Sequence, residues 1–327
     1  MPEHNRHNEE VKVKRVDLAL TRLGLGTAPL GGLFTSVQDT DSDELIATAF
    51  DQGIRYFDTA PLYGHGRSEI RLGRALRLAK QPYILSTKVG RVLNSATNVD
   101  VTWFADADPN LEPVYDYSRD GIKRSIEDSL TRLGVDHIDI ALMHDAENHV
   151  SEAINNAYPV LADLRSQGVI KAVGIGMIVC SASVAIMKET DLDVALIAGR
   201  FTLLDQEAQD GLFPLALKKN VSIIIGGVFN SGVLANPNPG AMYEYVPAPV
   251  EIIERARKIG AFLKERNVPL TAAALQFPLR HPAVATVLTG SRNKTELLSN
   301  IKDFDREIPA DIWTDLEKSG LIHPLKV

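Results

Sequence analysis

The 327-residue sequence predicts an α/β protein of the (β/α)8, or TIM-barrel, class. Three observations carry this. Short β-type runs alternate with amphipathic helical stretches, eight such units can be counted, and most of the strand runs are continuously apolar, as strands covered on both faces require.

Taken in order, the first strand is expected at 23–27. Ser42 and Asp43 then open a helix through Leu45, Ile46, Ala49 and Phe50 that stops before Gly53. Strands follow at 55–58 and 83–88. The connection from Gly90 to Ser118 carries Trp103 and Phe104 and shows no regular pattern, so it is read as a functional lid and a wall of the substrate pocket. A helix over 119–133 places Ile122, Ile126, Leu130 and Leu133 on one stripe and ends at Gly134. The fourth strand is expected at 138–143, a helix over 150–167 ends at Gly168, and the remaining strands lie at 172–175, 194–198, 222–226 and 284–288. No linker rich in Pro, Gly or Ser divides the chain, so residues 11–327 form one barrel domain behind a polar, disordered tail at 1–10. A doubly wound dinucleotide-binding sheet would need a G-x-G-x-x-G turn, and Gly24-Leu25-Gly26-Thr27-Ala28-Pro29 lacks the third glycine.

Lys plus Arg number 35 and Asp plus Glu 42, a net charge of −7 that offers no general attraction to nucleic acid or to an anionic membrane. No apolar run approaches the ~20 residues of a membrane helix, the best candidate from Val221 to Phe229 being broken by Gly226 and Gly227. The first ten residues lack the apolar core of a secretory signal, so a cytoplasmic protein is expected. It should act on a small molecule as a monomer or weak homo-oligomer. The single cysteine, Cys180, sits among apolar neighbours and reads as a packed thiol.

A barrel concentrates its chemistry where strands end, on the C-terminal face. Asp58, Lys88 and His144 close the second, third and fourth strand runs, and Tyr63 follows Asp58 in the adjoining loop. These four residue types make a proton-transfer site. A phenol with pKa near ~10 is brought toward working pH by a neighbouring ammonium, a carboxylate keeps that ammonium charged, and an imidazole donates to the reacting oxygen. Metal chemistry at His144-Asp145-Ala146-Glu147 would require more histidines at strand ends, and His65, His137, His149 and His281 lie elsewhere, so no metal is expected. Nor is there the pair of opposed glutamates that glycoside hydrolysis uses. A proton site without metal or nucleophile implies a cofactor. The small residues of Gly290-Ser291-Arg292-Asn293-Lys294-Thr295-Glu296, with Phe229-Asn230-Ser231-Gly232, stand where barrels often hold phosphate.

These residues resemble the aldo-keto reductase superfamily from Leu23-Gly24-Leu25-Gly26-Thr27 to Asn300. The run from Gly53 to Gly64 (Gly-Ile-Arg-Tyr-Phe-Asp-Thr-Ala-Pro-Leu-Tyr-Gly), with Ser68-Glu69, is similar to the family signature, and Leu133-Gly134-Val135-Asp136 to its second motif. Asp116-Tyr117-Ser118, His144-Asp145 and Phe201-Thr202-Leu203-Leu204-Asp205-Gln206 resemble the branch of aldose 1-dehydrogenases, of the D-threo-aldose, L-fucose and L-galactose types, and pyridoxal 4-dehydrogenase. The resemblance implies an aldo-keto reductase type of barrel and a tetrad of Asp58, Tyr63, Lys88 and His144. It also implies oxidation of a cyclic hemiacetal carbon to a lactone, with Tyr63 and His144 at the substrate and the Trp103–Phe104 loop shaping its pocket. The alternatives are an NADPH-dependent aldehyde or ketone reductase and a cofactor-binding regulatory protein. Nicotinamide dinucleotide contacts are implied at Thr27, Asp58, Met177, Arg200, Phe229, Asn230, Ser231, Gly232, Leu234, Gly290, Ser291, Arg292, Glu296 and Asn300. Two departures stand out, Gly176-Met177-Ile178 where the family presents Ser-Asn and Gly226 where an aromatic ring often stacks. At the adenosine end Gly290 and Glu296 replace the cations that grip a 2′-phosphate, so NAD is expected over NADP, with Arg292 and Lys294 leaving NADP possible.

Overall fold

The computed structural model describes residues 5–327. Eight parallel strands close into a barrel in the order β3 (Leu23–Gly26), β4 (Tyr56–Asp58), β5 (Ile84–Val89), β8 (Ile140–His144), β9 (Ala172–Met177), β10 (Val194–Ala198), β11 (Ser222–Gly226) and β14 (Val284–Gly290). The last strand returns to the first through Leu288 opposite Gly24. All eight expected strands are present, with ends shifted by up to two residues. The remaining strands form three antiparallel pairs: β1 (Glu10–Lys12) with β2 (Ala19–Thr21), β6 (Arg91–Ser95) with β7 (Leu111–Tyr115), and β12 (Met242–Tyr243) with β13 (Val246–Pro247).

Helices α1 (Asp39–Asp51), α2 (Arg67–Leu76) and α3 (Arg119–Leu133) cover the first strands. Ser118 caps α3 by accepting from the Gly121 N–H, and Gly134 ends it in the left-handed conformation. The stretch expected as one helix over 150–167 is a helical run of α4 (Val150–Glu152), a π turn (Ala153–Ala157) and α5 (Tyr158–Ser166). Pro159 lies where the π turn gives way to α5, and its missing N–H accounts for the irregularity. The outer ring continues with α6 (Cys180–Glu189), α7 (Leu212–Lys219), α8 (Val250–Lys264), α9 (Leu270–Gln276), α10 (Lys294–Asp305) and α11 (Ala310–Lys318). Cys180 is a free, buried thiol, its pKa pushed up to about 12 by burial and then by nearby Glu207 and Asp205.

Strand alternation sorts side chains into two layers. Tyr56, Ile140, Leu142, Leu196, Ile224 and Leu288 fill the barrel interior together with Val13, Leu18 and Leu20 of the β1–β2 hairpin, which plugs the lower mouth. The Lys14 N–H donates to Ser222 Oγ at the start of β11 and so ties the plug to the rim. Outward residues such as Phe57, Met143, Ile175 and Ile225 pack with the helices.

Two sequence expectations need correction. Residues 5–10, placed in a disordered tail, are structured: Arg6–Asn8 form a 3-10 turn, and His7 is fully buried between Asp305 and the Gln52 carbonyl. The charges that read as a solvated tail are used in pairing; residues 1–4 lie outside the described residues. The 90–118 connection is not structureless either, since its two ends zip into the β6–β7 hairpin with Arg91 opposite Tyr115. Asp106 anchors its tip by accepting from Arg71 at 2.7 Å and from the Val37 N–H at 3.0 Å. Among the described residues no helix is long and apolar enough to cross a membrane.

Candidate active site

The loop after β4 is built so that Tyr63 can turn back over the barrel mouth. A Cβ at Gly31 would come within 2.5 Å of the Tyr63 carbonyl carbon, and Gly64 adopts φ +64, so the two glycines allow backbones to touch there. Ser68 Oγ bridges Thr27 Oγ1 at 2.7 Å and Thr59 Oγ1 at 3.0 Å, pinning the loop to β3. Glu69, wholly buried, accepts from Thr87 Oγ1 at 2.9 Å and from Arg132 Nε at 2.6 Å, which fixes α2 against β5 and α3.

The four residues expected to carry proton chemistry come together. Lys88 Nζ donates to Asp58 Oδ2 at 2.6 Å and to the Thr59 carbonyl at 2.9 Å, and Ser86 Oγ donates to Asp58 Oδ1 at 2.7 Å, so both carboxylate oxygens are engaged. The ammonium lies 4.8 Å from the centre of the Tyr63 ring. The His144 ring stands edge-on to Tyr63 with centroids 6.1 Å apart, and the His144 carbonyl accepts from the Tyr117 hydroxyl. Breaking a buried pair such as Lys88–Asp58 costs about 3–5 kcal/mol, so the sequence would not keep it there without partners on both sides.

The electrostatics depart from the expectation that Lys88 lowers the Tyr63 pKa. The Tyr63 phenol is raised well above its ordinary value, first by burial, then by the negative charges of Asp58 and Asp145, with Arg91 opposing. The Lys88 charge is matched by Asp58, and burial prevails over what remains. His144 is driven the other way, down to about 3, mainly by burial and then by Lys88 and Arg91 against Asp145. The chain therefore presents a protonated phenol beside a neutral imidazole whose Nδ1 is buried without a partner.

A cavity of about 550 Å³ opens beside this cluster, within the ~300–1,000 Å³ of small-molecule sites. Asp58 reaches its wall, and of the expected substrate contacts Tyr63 and Trp103 line it while Phe104 and His144 are buried behind it, the Phe104 ring 6.1 Å from that of Tyr63. Arg200, Phe229, Asn230, Ser231, Gly232 and Gly290 line it as well. Thr27, Met177 and Leu234 do not, being sealed in the packed layers, where the Thr27 hydroxyl donates to the Asp58 carbonyl. Ser291 is buried against Asn300, while Arg292 and Glu296 form an ion pair at 2.6 Å outside the lining. Sequence reasoning missed Phe34 and Tyr245, whose rings lie 6.1 Å apart at the mouth, with Trp103 5.9 Å from Tyr245. The Tyr243-Glu244-Tyr245 run after β11 was the available signal. It also missed Arg91, which follows β5 by two residues.

Comparison with known proteins agrees with this geometry. Residues 22–320 match the model of the aldo/keto reductase family. The chain belongs to the aldo/keto reductase family. It is 40% identical to a pyridoxal 4-dehydrogenase of Microbacterium luteolum over 98% of this chain and 99% of that one. It is 39% identical to a D-threo-aldose 1-dehydrogenase of Pseudomonas sp, over 93% and 95%. Among solved structures, the holo form of an aldo-keto reductase from Bacillus halodurans superposes with a TM-score of 0.76 at 24% identity, covering 97% of each chain, which supports the fold.

Enzymes of this family use a nicotinamide dinucleotide, and the cavity of this aldo/keto reductase suits one. Gly226 lines the cavity with bare backbone, where a Cβ would stand in van der Waals contact with Leu196 and Ala198. Asn230 lines the cavity, and among the described residues its buried Oδ1 has no partner, as expected of an acceptor awaiting a donor from a ligand. Ser231 and Gly232, in left-handed turns at φ +58 and +109, expose backbone beside it.

Proposed function

We propose that this aldo/keto reductase oxidises the hydroxyl of a cyclic hemiacetal carbon to a lactone, with a free aldose as substrate and NAD as the preferred cofactor. The observation that carries the reading is the convergence of Asp58, Lys88 and His144 on Tyr63, with Asp58 and Tyr63 reaching the cavity wall. Gly226, Phe229, Asn230, Ser231, Gly232 and Gly290 would hold the nicotinamide dinucleotide, which would supply the hydride acceptor for the hemiacetal carbon. For oxidation the Tyr63 phenol must first give up its own proton to solvent, and the phenolate then takes the hydroxyl proton as the carbon–oxygen double bond forms. Lys88, held by Asp58, supports the phenolate from the ring side, and neutral His144 donates to the same oxygen. In the reverse direction Tyr63 is the acid.

A second reading replaces the aldose with pyridoxal, whose cyclic form is also a hemiacetal. It is favoured by the aromatic mouth of Phe34, Trp103 and Tyr245 and by the pyridoxal 4-dehydrogenase relative. The NAD preference rests on the adenosine end. The two cations that could receive a 2′-phosphate are already matched, Arg292 by Glu296 and Lys294 by Glu44.

The test is absorbance of reduced nicotinamide on offering NAD or NADP with a panel of aldoses and pyridoxal. Accumulation of NADH with an aldose supports the first reading and with pyridoxal the second. Consumption of NADPH with aldehydes alone overturns both. Tyr63→Phe is expected to lower kcat by about 10³-fold while nucleotide binding is retained, and normal turnover in that variant removes the mechanism.

A further inference from the structure

Next to the tetrad lies an ion pair that the reaction as written does not use. Asp145 follows β8 with φ +47, a left-handed turn closed by its N–H donating to the Gly176 carbonyl at 3.0 Å. Its Oδ2 accepts from Arg91 Nη2 at 2.8 Å and stands 3.5 Å from His144 Nε2. That second separation is too long for a strong hydrogen bond, which leaves the imidazole N–H free for another acceptor, but short enough for the carboxylate charge to act on the ring. Arg91 begins the β6–β7 hairpin, its Cζ 4.1 Å from the centre of the Tyr115 ring, and both members of the pair are only 16% exposed. Arg91 Nη2 also donates to the Tyr115 hydroxyl, and among the described residues the buried Arg91 Nε has no partner.

We propose that Arg91 and Asp145 are a positioning pair for the reaction centre: Arg91 neutralises the Asp145 carboxylate beside His144, so that His144 stays neutral with its Nε2–H left for the reacting oxygen and Tyr63 can give up its proton. The inference rests on the tetrad reading above and adds to it a device that sets the charge balance. An unmatched carboxylate at 3.5 Å would favour imidazolium and oppose phenolate, both harmful to oxidation. The other charged or titratable groups facing Tyr63 are Asp58 and Tyr56 from β4 and Lys88 from β5. Tyr245 faces it from the loop after β11. The field of Asp145 acts in the same direction on Tyr63 as that of Asp58, and that of Arg91 opposes both. His144 faces Lys88 in addition to the pair. Because Asp58 is matched by Lys88, the balance left to be set is the one between Asp145 and Arg91.

The test uses the full-length protein with Arg91→Met, Arg91→Lys, Asp145→Asn and the double variant Arg91→Met/Asp145→Asn. Asparagine tolerates the left-handed backbone at position 145, so that variant keeps its turn. The first readout needs no substrate. In protein with 13C-labelled histidine, the His144 ring resonance, assigned by its loss in His144→Gln, is followed from pH 4 to 8. It is expected to stay constant in the parent, in Arg91→Lys and in the double variant, and to titrate within that window in Arg91→Met. The second readout is the pH profile of kcat/KM for NAD with pyridoxal and with L-fucose. Its rising limb is expected to move up by about half a pH unit or more in Arg91→Met and down in Asp145→Asn, and to return in the double variant. Loss of rate without movement of the limb is what simple structural support would produce. A His144 resonance in Arg91→Met that stays constant, or single variants whose limbs move together, overturns the proposal. Because the resonance readout does not involve Tyr63, it stands if the tetrad reading fails, a failure that the Tyr63→Phe variant reports separately.

Discussion

Two histidines, one at each end of the barrel, are almost completely buried and carry opposite protonation tendencies. At the lower end His7 places Nδ1 2.6 Å from Asp305 Oδ2 and Nε2 2.7 Å from the Gln52 carbonyl. Two acceptors require two donated protons, hence an imidazolium. Burial alone would lower its pKa, but the Asp305 and Gln52 bonds prevail and the net shift is upward. At the upper end His144 has the Asp145 carboxylate only at 3.5 Å and no partner at Nδ1, and burial takes it down to about 3. Low exposure alone therefore does not determine charge. At His7 two completed hydrogen bonds offset burial, whereas at His144, which faces the cavity wall through Tyr63, burial goes unopposed by any such bond.

The contrast is broken most strongly at the upper end. His144→Gln is expected to lower kcat by about 10²-fold or more with little change in Tm, because it removes a donor to the reacting oxygen and no completed internal bond. A drop in Tm with kcat preserved would reverse the two assignments. At the lower end His7→Gln is expected to cost about 2–3 kcal/mol of stability, seen in chemical denaturation, with kcat unchanged, since it leaves Asp305 without its cation.

The pH dependence sharpens the same comparison. The folded-state pKa of His7 lies above the ~6.5 of an unfolded histidine, so its stabilisation is complete below that value and is lost as pH rises through the folded pKa. That of His144 lies below, so stability is held above ~6.5 and lost as pH falls toward about 3. His7→Gln should flatten the alkaline fall of Tm while leaving the acid limb in place, and an unchanged alkaline fall would refute an imidazolium at position 7. The smallest effect belongs to the exposed pair at the adenosine end. Glu296→Gln frees Arg292 and is expected to raise the affinity for NADP relative to NAD by about two- to fivefold in a fluorescence titration.

The barrel was legible because buried parallel strands leave continuous apolar runs, and Asp58, Lys88 and His144 were legible because each breaks such a run at its end. Tyr63 was found through the loop that follows. What escaped was whatever depends on distant partners. His7 reads as part of a charged tail until Asp305, 298 residues away, is placed against it. Arg91 and Asp145 are ordinary charged residues until two loops meet. Thr27, Met177 and Leu234 lie at or near strand ends, yet their side chains turn into packed layers, a choice of face that short irregular segments do not encode. The upward shift of Tyr63 was missed for the same reason: the identity of its neighbours could be guessed, but the depth of its burial could not.

The His7–Asp305 clasp also sets an order in time. Its two halves are joined across 298 residues, and at about 5–20 residues per second the ribosome needs roughly 15–60 s to travel between them. Throughout that interval the β1–β2 plug has no barrel to seal and β3 lacks β14 beside it. Closure thus comes late in synthesis, and the emerging chain carries a first strand with one open edge until β14 is released. A slow refolding phase that vanishes when residues 5–12 are deleted would be the signature of that last step.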